Sequence, residues 1–194
     1  NTFRWHEEAS GERALYDRRF VSQAERTLEQ DDRIVLITYD DETLDLLGKR
    51  SPLDRSMLAR ALAAIDTKAP RGIGIDILID QAQPEDEELV QTFREMRTPV
   101  WLAFASHAHN PDQVRPWQEQ FMHRLREQAA PGPISHASIR LETDLADGVV
   151  RRWPDQPEGL PPFLANALSP VHPEFANYRG GIDFRLPATG PQDE

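Results

Sequence analysis

Cysteine is missing from all 194 residues, which excludes disulfides, thiolate metal centres and cysteine nucleophiles. Lysine is nearly missing too: Lys49 and Lys68 stand alone, and arginine supplies the rest of the positive charge. No apolar run comes near the roughly 20 residues of a membrane-crossing helix, and no signal-peptide pattern opens the chain. The first residue is Asn1 and not Met, so the chain reads as an excised piece, with any membrane segments expected outside it. There is no Gly-x-Ser-x-Gly elbow and no Gly-x-x-x-x-Gly-Lys-Ser/Thr phosphate loop. Gly72-x-Gly74 lies inside an apolar run and not after one, so it is no dinucleotide fingerprint, and no cofactor is expected. A net charge of −11 repels a bare nucleic-acid backbone on average, and no nucleic-acid partner is expected.

What is present is periodicity. Tyr16, Phe20, Ala24 and Leu28 recur every four positions and predict an amphipathic helix over 12–30. Ile34 to Thr38 is β-branched, short and flanked by acids, as a strand would be. Ser51-Pro52-Leu53-Asp54 has the pattern of a helix start, with Leu53, Met57, Leu58, Ala61, Leu62 and Ile65 on one face. Ile73 to Ile79 reads as a strand covered on both faces. A helix with Leu89, Val90, Phe93 and Met96 inward follows, then a strand from Val100 to Ala105. Asn110-Pro111 is expected to open another helix, with Val114, Trp117, Phe121 and Leu125 inward. The stretch 31–130 is therefore a βαβαβα core, and the fold class is α/β, an open and mainly parallel sheet with crossover helices. Beyond Pro131-Gly132-Pro133, the runs 138–142 and 149–153 flank an Asp147-Gly148 turn and predict a hairpin. That hairpin and a Pro-rich part fill 131–186, with a helix candidate at Phe163 to Leu168 and a tail at 187–194. The whole is read as one domain.

The acids are the candidate chemistry. In an open parallel sheet, ligands gather at the carboxyl ends of strands. Asp40, Asp41 and Glu42 follow the first predicted strand and Asp80 the second, so one rim is expected to hold them, and with Arg55 and Asp76 they make the candidate ligand-binding set. Such a cluster can hold Mg²⁺ or Ca²⁺; capping the next helix is the plainer role. Asp76, set among isoleucines, is expected to be buried and paired, with Arg55 a candidate partner. His107 and His109 lack a third metal ligand, and Asp144 and Asp147-Gly148 read as a turn, so no metal site is assigned. Arg151-Arg152-Trp153 is a weak anion patch. No residue is assigned as catalytic.

Several blocks together resemble the CHASE2 family: LYDRRF at 15–20, IVLITYDDETLDLLGKRSPLDR at 34–55, APRGIGIDILIDQAQPEDEEL at 69–89, DGVVRR at 147–152 and NYRG at 177–180. Their order and spacing span about residues 14–182; Ser51 and Leu53 depart from an aromatic stretch common in the family. The resemblance implies an extracytoplasmic, periplasmic sensor domain of a bacterial inner-membrane receptor, tethered by segments outside this chain. It implies a small-molecule or peptide signal and an output such as a histidine kinase, Ser/Thr kinase, diguanylate cyclase or adenylate cyclase. Two other readings stand beside it. One is a Mg²⁺-dependent phosphoryl-transfer domain of receiver or dehalogenase type, although both lysines come early and the acids are adjacent. The other is a dimerisation module without a small ligand, its N-terminal helix pairing in a homodimer.

Overall fold

The structure, a computed structural model, describes residues 15–19, 21–23, 31–48, 53–145, 147–169, 178 and 180–182. Helix α1 is Asp41–Leu47 and α2 is Arg55–Asp66. Strand β1 (Ile73–Ile75), helix α3 (Asp86–Glu95), strand β2 (Val100–Phe104), helix α4 (Pro116–Ala129) and strand β3 (Ile134–Ser138) follow, with a short α5 at Leu164–Leu168. The three strands are parallel in the order β1-β2-β3, with Ile73 opposite Val100 and Val100 opposite Ile134. Each crossover between them is a helix, so the α/β class and the open parallel sheet read from the sequence are what the chain builds.

Alternation along the strands sorts the side chains onto two faces. Ile75, Val100, Leu102 and Ile134 join a buried core with Ala59 and Leu62 of α2, Leu89, Val90 and Phe93 of α3, and Leu125 and Ala129 of α4. The opposite face meets α5. There a Cβ on Gly74 would lie 2.8 Å from Leu168 and 3.2 Å from Leu164, so glycine in the strand is what lets this short helix sit close.

Helix starts moved relative to expectation. The cap of α2 is Asp54, whose carboxylate accepts from the Met57 amide at 2.8 Å. Helix α4 begins at Pro116, with Asn110 to Val114 turned before it; there the Gln118 side-chain oxygen accepts from the Arg115 amide at 2.8 Å and the Arg115 carbonyl accepts from the Gln118 amide at 3.0 Å. Val114 is therefore buried ahead of the helix, Met122 takes an inward position within it, and Trp117 is 54% exposed.

Three expectations fail. Residues 34–38 form no strand; Ile34, Val35, Leu36 and Ile37 are 64–80% exposed. β-branched composition makes a strand only where a neighbouring edge supplies the ladder. The runs 138–142 and 149–153 form no hairpin with each other among the described residues. Ser138 ends β3 and bridges Phe163, while Arg152 bridges Gly181. The third parallel strand, Ile134–Ser138, lies where the reading had the sheet already finished. The N-terminal helix is seen at 15–19 and 21–23, with Tyr16 47% exposed; Phe20, Ala24 and Leu28 lie outside the described residues, as does the tail at 187–194.

The chain divides into two compact units, one of residues 40–142 and 154–179, the other of residues 1–39, 143–153 and 180–194. The first holds the sheet. In the second, Arg152 pairs antiparallel with Gly181, and the Ile182 amide donates to the Arg151 carbonyl at 3.0 Å.

Candidate functional site

Three loops leave the carboxyl ends of β1, β2 and β3, and three of the six predicted site residues, Arg55, Asp76 and Asp80, are found on or beside the first of them. Arg55, the first residue of α2, is only 1% exposed. Its Nε donates to Asp86 Oδ1 at 3.3 Å, Nη1 to the Leu53 carbonyl at 3.3 Å and Nη2 to the Gln81 carbonyl at 3.5 Å. Burial lowers its pKa, opposed by the charges of Asp86, Asp80 and Glu85. The other carboxylate oxygen of Asp86 accepts from the Gln83 amide at 2.9 Å. Arg55 thus binds the start of α2 to the loop that runs from β1 into α3. A guanidinium suits this place because its fork reaches several acceptors at once.

Asp80 stands in that same loop, half-buried, and accepts from the Gln118 side-chain amide of α4. The hydrogen bond ties the loop after β1 to the start of α4. Gln118 also accepts from the Arg115 amide at 2.8 Å. Asp76 is exposed, contrary to the expected burial. β1 ends at Ile75, so the acid lies just past the strand's last paired residue, where water solvates it.

Asp40, Asp41 and Glu42 follow no strand. Asp40 is the N-cap of α1, accepting from the Thr43 amide at 2.9 Å and its hydroxyl at 2.7 Å. The Thr43 hydroxyl and amide hold its carboxyl below the ordinary value. Asp41 and Glu42 occupy the first turn, where the helix dipole favours negative charge. Among the described residues no group of acids and histidines is placed to hold a metal. The structure therefore brings Arg55, Asp80 and Asp86 together and leaves the 40–42 acids in a capping arrangement of their own.

After β2, His107 Nδ1 bonds the Val114 carbonyl at 2.7 Å, and the His107 amide donates to Glu119 at 2.8 Å. His136 on β3 stacks on Phe104 with ring centroids 4.7 Å apart and meets His123 edge-on at 5.4 Å. Burial, then the charges of His123 and Arg126, lowers its pKa to about 4. Sequence reading missed His136, because a lone histidine in a short mixed strand carries no motif. It also missed Gln156, whose Nε2 and Oε1 are both shielded from solvent with no partner among the described residues; His109 Nδ1 is in the same condition.

A concavity of about 500 Å³ lies at the other end of the sheet, where the strands begin, lined by Asp66, Ala69, Glu95, Arg97 and Thr98 among others. Asp66 there accepts from the Thr98 amide at 2.9 Å and the Arg97 amide at 3.2 Å, which binds the end of α2 to the residues before β2. Its carboxylate is spent on backbone amides.

In the second unit, Arg151 is the hub. Its guanidinium donates to Asp17 at 2.9 and 2.6 Å and to Asp147 at 2.9 and 2.6 Å, with Asp144 at 3.7 Å. These carboxylates raise its pKa. The anion patch suggested by Arg151-Arg152-Trp153 thus has its first member already engaged.

No helix of the described residues is long and apolar enough to cross a membrane. Compared with curated proteins and with solved structures, the chain matches none. Residues 2–186, nearly its whole length and parts of both units, match the family model of the CHASE2 domain, and the chain accordingly belongs to the CHASE2 family of extracytoplasmic sensor domains.

Proposed function

We propose that this chain is the ligand-sensing part of a bacterial transmembrane receptor, periplasmic, tethered by membrane segments outside it, and that it passes a signal to a cytoplasmic kinase or nucleotide cyclase. Family membership supports the class of task. The observation that carries the ligand-sensing reading is the Asp80–Gln118 hydrogen bond beside the Arg55 cage. It joins the loop after β1 to the start of α4, the helix that follows β2, at the edge where α/β sheets bind ligands. A ligand reaching Asp76 or Asp80 there acts on a link that has two states, made and broken. It shifts the receptor only by its difference in affinity for those states.

Asp76 and Asp80 are the proposed direct contacts, with Arg55 holding the loop that presents them. Asp40, Asp41 and Glu42, at the start of α1, are included in the proposal as further acids and not as part of that link. The test is a chimeric receptor carrying this chain ahead of an assayable kinase, challenged with amino acids, sugars, organic acids and short peptides. The expected result is an output that responds to one class and loses the response in Asp80→Asn. An output that is unchanged by Asp80→Asn, or by every compound, defeats the reading. Incubation with acetyl phosphate and Mg²⁺ checks the phosphoryl-transfer alternative, for which stable labelling of Asp40 would be required.

A further inference from the structure

We propose that the carboxyl edge of β2 and β3 binds a small neutral molecule bearing a carboxamide, with Gln156 as its main recognition residue and His109 as a second polar contact. The starting point is an unusual pair of orphans. Both polar atoms of the Gln156 amide and Nδ1 of His109 are shielded from solvent and lack partners among the described residues. A buried group left unpaired costs about 1–3 kcal/mol, and native proteins keep few of them. Two on loops that pack on one apolar cluster is a feature to be explained by what they meet.

Both loops pack on the Phe104 cluster. His109 lies on the turn after β2, where the Ser106 carbonyl accepts from the Asn110 amide at 3.0 Å and the His109 amide at 3.3 Å. That turn ends at Val114, which is buried with Phe104 and Met122. Gln156 precedes a turn closed by the Leu160 amide on the Pro157 carbonyl at 3.2 Å, and Leu160 packs on the same Phe104 cluster. Two residues on, the Pro162 carbonyl accepts from the Ser138 amide at 2.8 Å and fixes the segment to the end of β3. Leu78 and Ala105, partly buried on the cluster, supply an apolar floor.

The chemistry of the orphans selects the ligand. A primary amide has an acceptor and two donors to satisfy at once. A carboxylate would pair only its N–H groups and leave Oε1 bare. An ammonium would pair only the oxygen. A carboxamide gives back one donor and one acceptor in the same plane. Entry requires movement of the 157–160 turn. Gly159 at its tip has φ of +88° and open space around it, so the turn is not wedged in place. What such binding triggers rests on the sensing function proposed above; whether it occurs does not.

The experiment titrates the whole chain with propionamide, with propionate and propylamine as charged controls, following the Gln156 and His109 side-chain signals by NMR. Propionamide alone should shift both, and Gln156→Leu should weaken its binding by about tenfold or more. Because an orphaned amide is removed, Gln156→Leu should melt no lower than the parent chain. A lower melting temperature, or failure to fold, would show that the amide is already satisfied by the protein or by water and would overturn the proposal. So would equal shifts with the three compounds. Failure here leaves the Asp80 chimera result untouched, so the two readings can fall separately.

Discussion

Arg55 and Arg151 are both ringed by acids, yet their surroundings push them in opposite directions. Arg55 is 1% exposed and reaches its acceptors at 3.3–3.5 Å; burial lowers its pKa. Arg151, its side chain 13% exposed, makes four bonds of 2.6–2.9 Å to two carboxylates, and its pKa rises. Water and geometry account for the contrast. Removing a guanidinium from water costs several kcal/mol, which long hydrogen bonds recover only in part. At Arg151 the short bidentate contacts to Asp17 and Asp147 outweigh the smaller loss of hydration. The lesson is that the tighter-looking clasp is not the one whose loss should matter most.

Removing Arg55 should have the largest effect. Arg55→Met nearly keeps volume but removes the guanidinium that pairs Asp86 and donates to the Leu53 and Gln81 carbonyls, so urea unfolding should report a loss of about 3–5 kcal/mol. A loss no greater than that of an exposed substitution would erase the distinction between the clasps. Asp86→Asn, which keeps one acceptor oxygen and so serves either Arg55 or the Gln83 amide but not both, should cost less, about 1–2 kcal/mol by the same measurement.

Acid should separate the two units. His136, on β3 in the sheet-bearing unit, has its pKa lowered from 6.5 to about 4. The unfolded chain therefore takes up a proton between those values that the folded chain refuses, and stability falls as pH drops from 6.5 towards 4. His136→Leu should flatten that slope. Asp17 is held below its ordinary 3.8 by Arg151. Its contribution is fully present above 3.8 and disappears only as pH falls through the lower folded value. Hydrogen exchange followed from pH 7 to 3 should thus show β3 loosening first and residues 15–19 later. The reverse order would refute the assignment.

Arg151→Gln should give the smallest change, a faster exchange at residues 15–19 and 180–182. Asp17 is 44% exposed, and at 1 M salt screening reaches within about 3 Å, so high salt should reproduce much of the effect in the parent chain. High salt should leave the Arg55 clasp nearly unchanged. Equal salt sensitivity at both would mean that burial does not distinguish them.

How much of this was legible beforehand differs by residue. Leu89, Val90, Phe93 and Met96 are all buried as their spacing requires, because a helix turns its own sequence into one face. Arg55 was a recognisable candidate partner for an acid, but the acid is Asp86 and not Asp76. Asp40 carried both a rim reading and a capping reading, and its hydrogen bonds to Thr43 are those of a cap. Gln156 gave no signal at all, since a neutral amide in a Pro-rich loop becomes informative only once its surroundings shield it.

By itself the sequence determined the alternation of helices and strands from Arg55 to Phe104, the absence of thiol chemistry and the family to which the chain belongs. Those depend on composition and on periods of two or about four residues, which act locally. Tertiary structure alone decided that Ile73–Ile75 is paired while the similar run 34–38 is not, that Ile134–Ser138 completes the sheet, and that Arg151 reaches Asp17 across 134 positions. A ladder or an ion pair needs a partner brought from far along the chain, and which partner arrives depends on the packing of everything between.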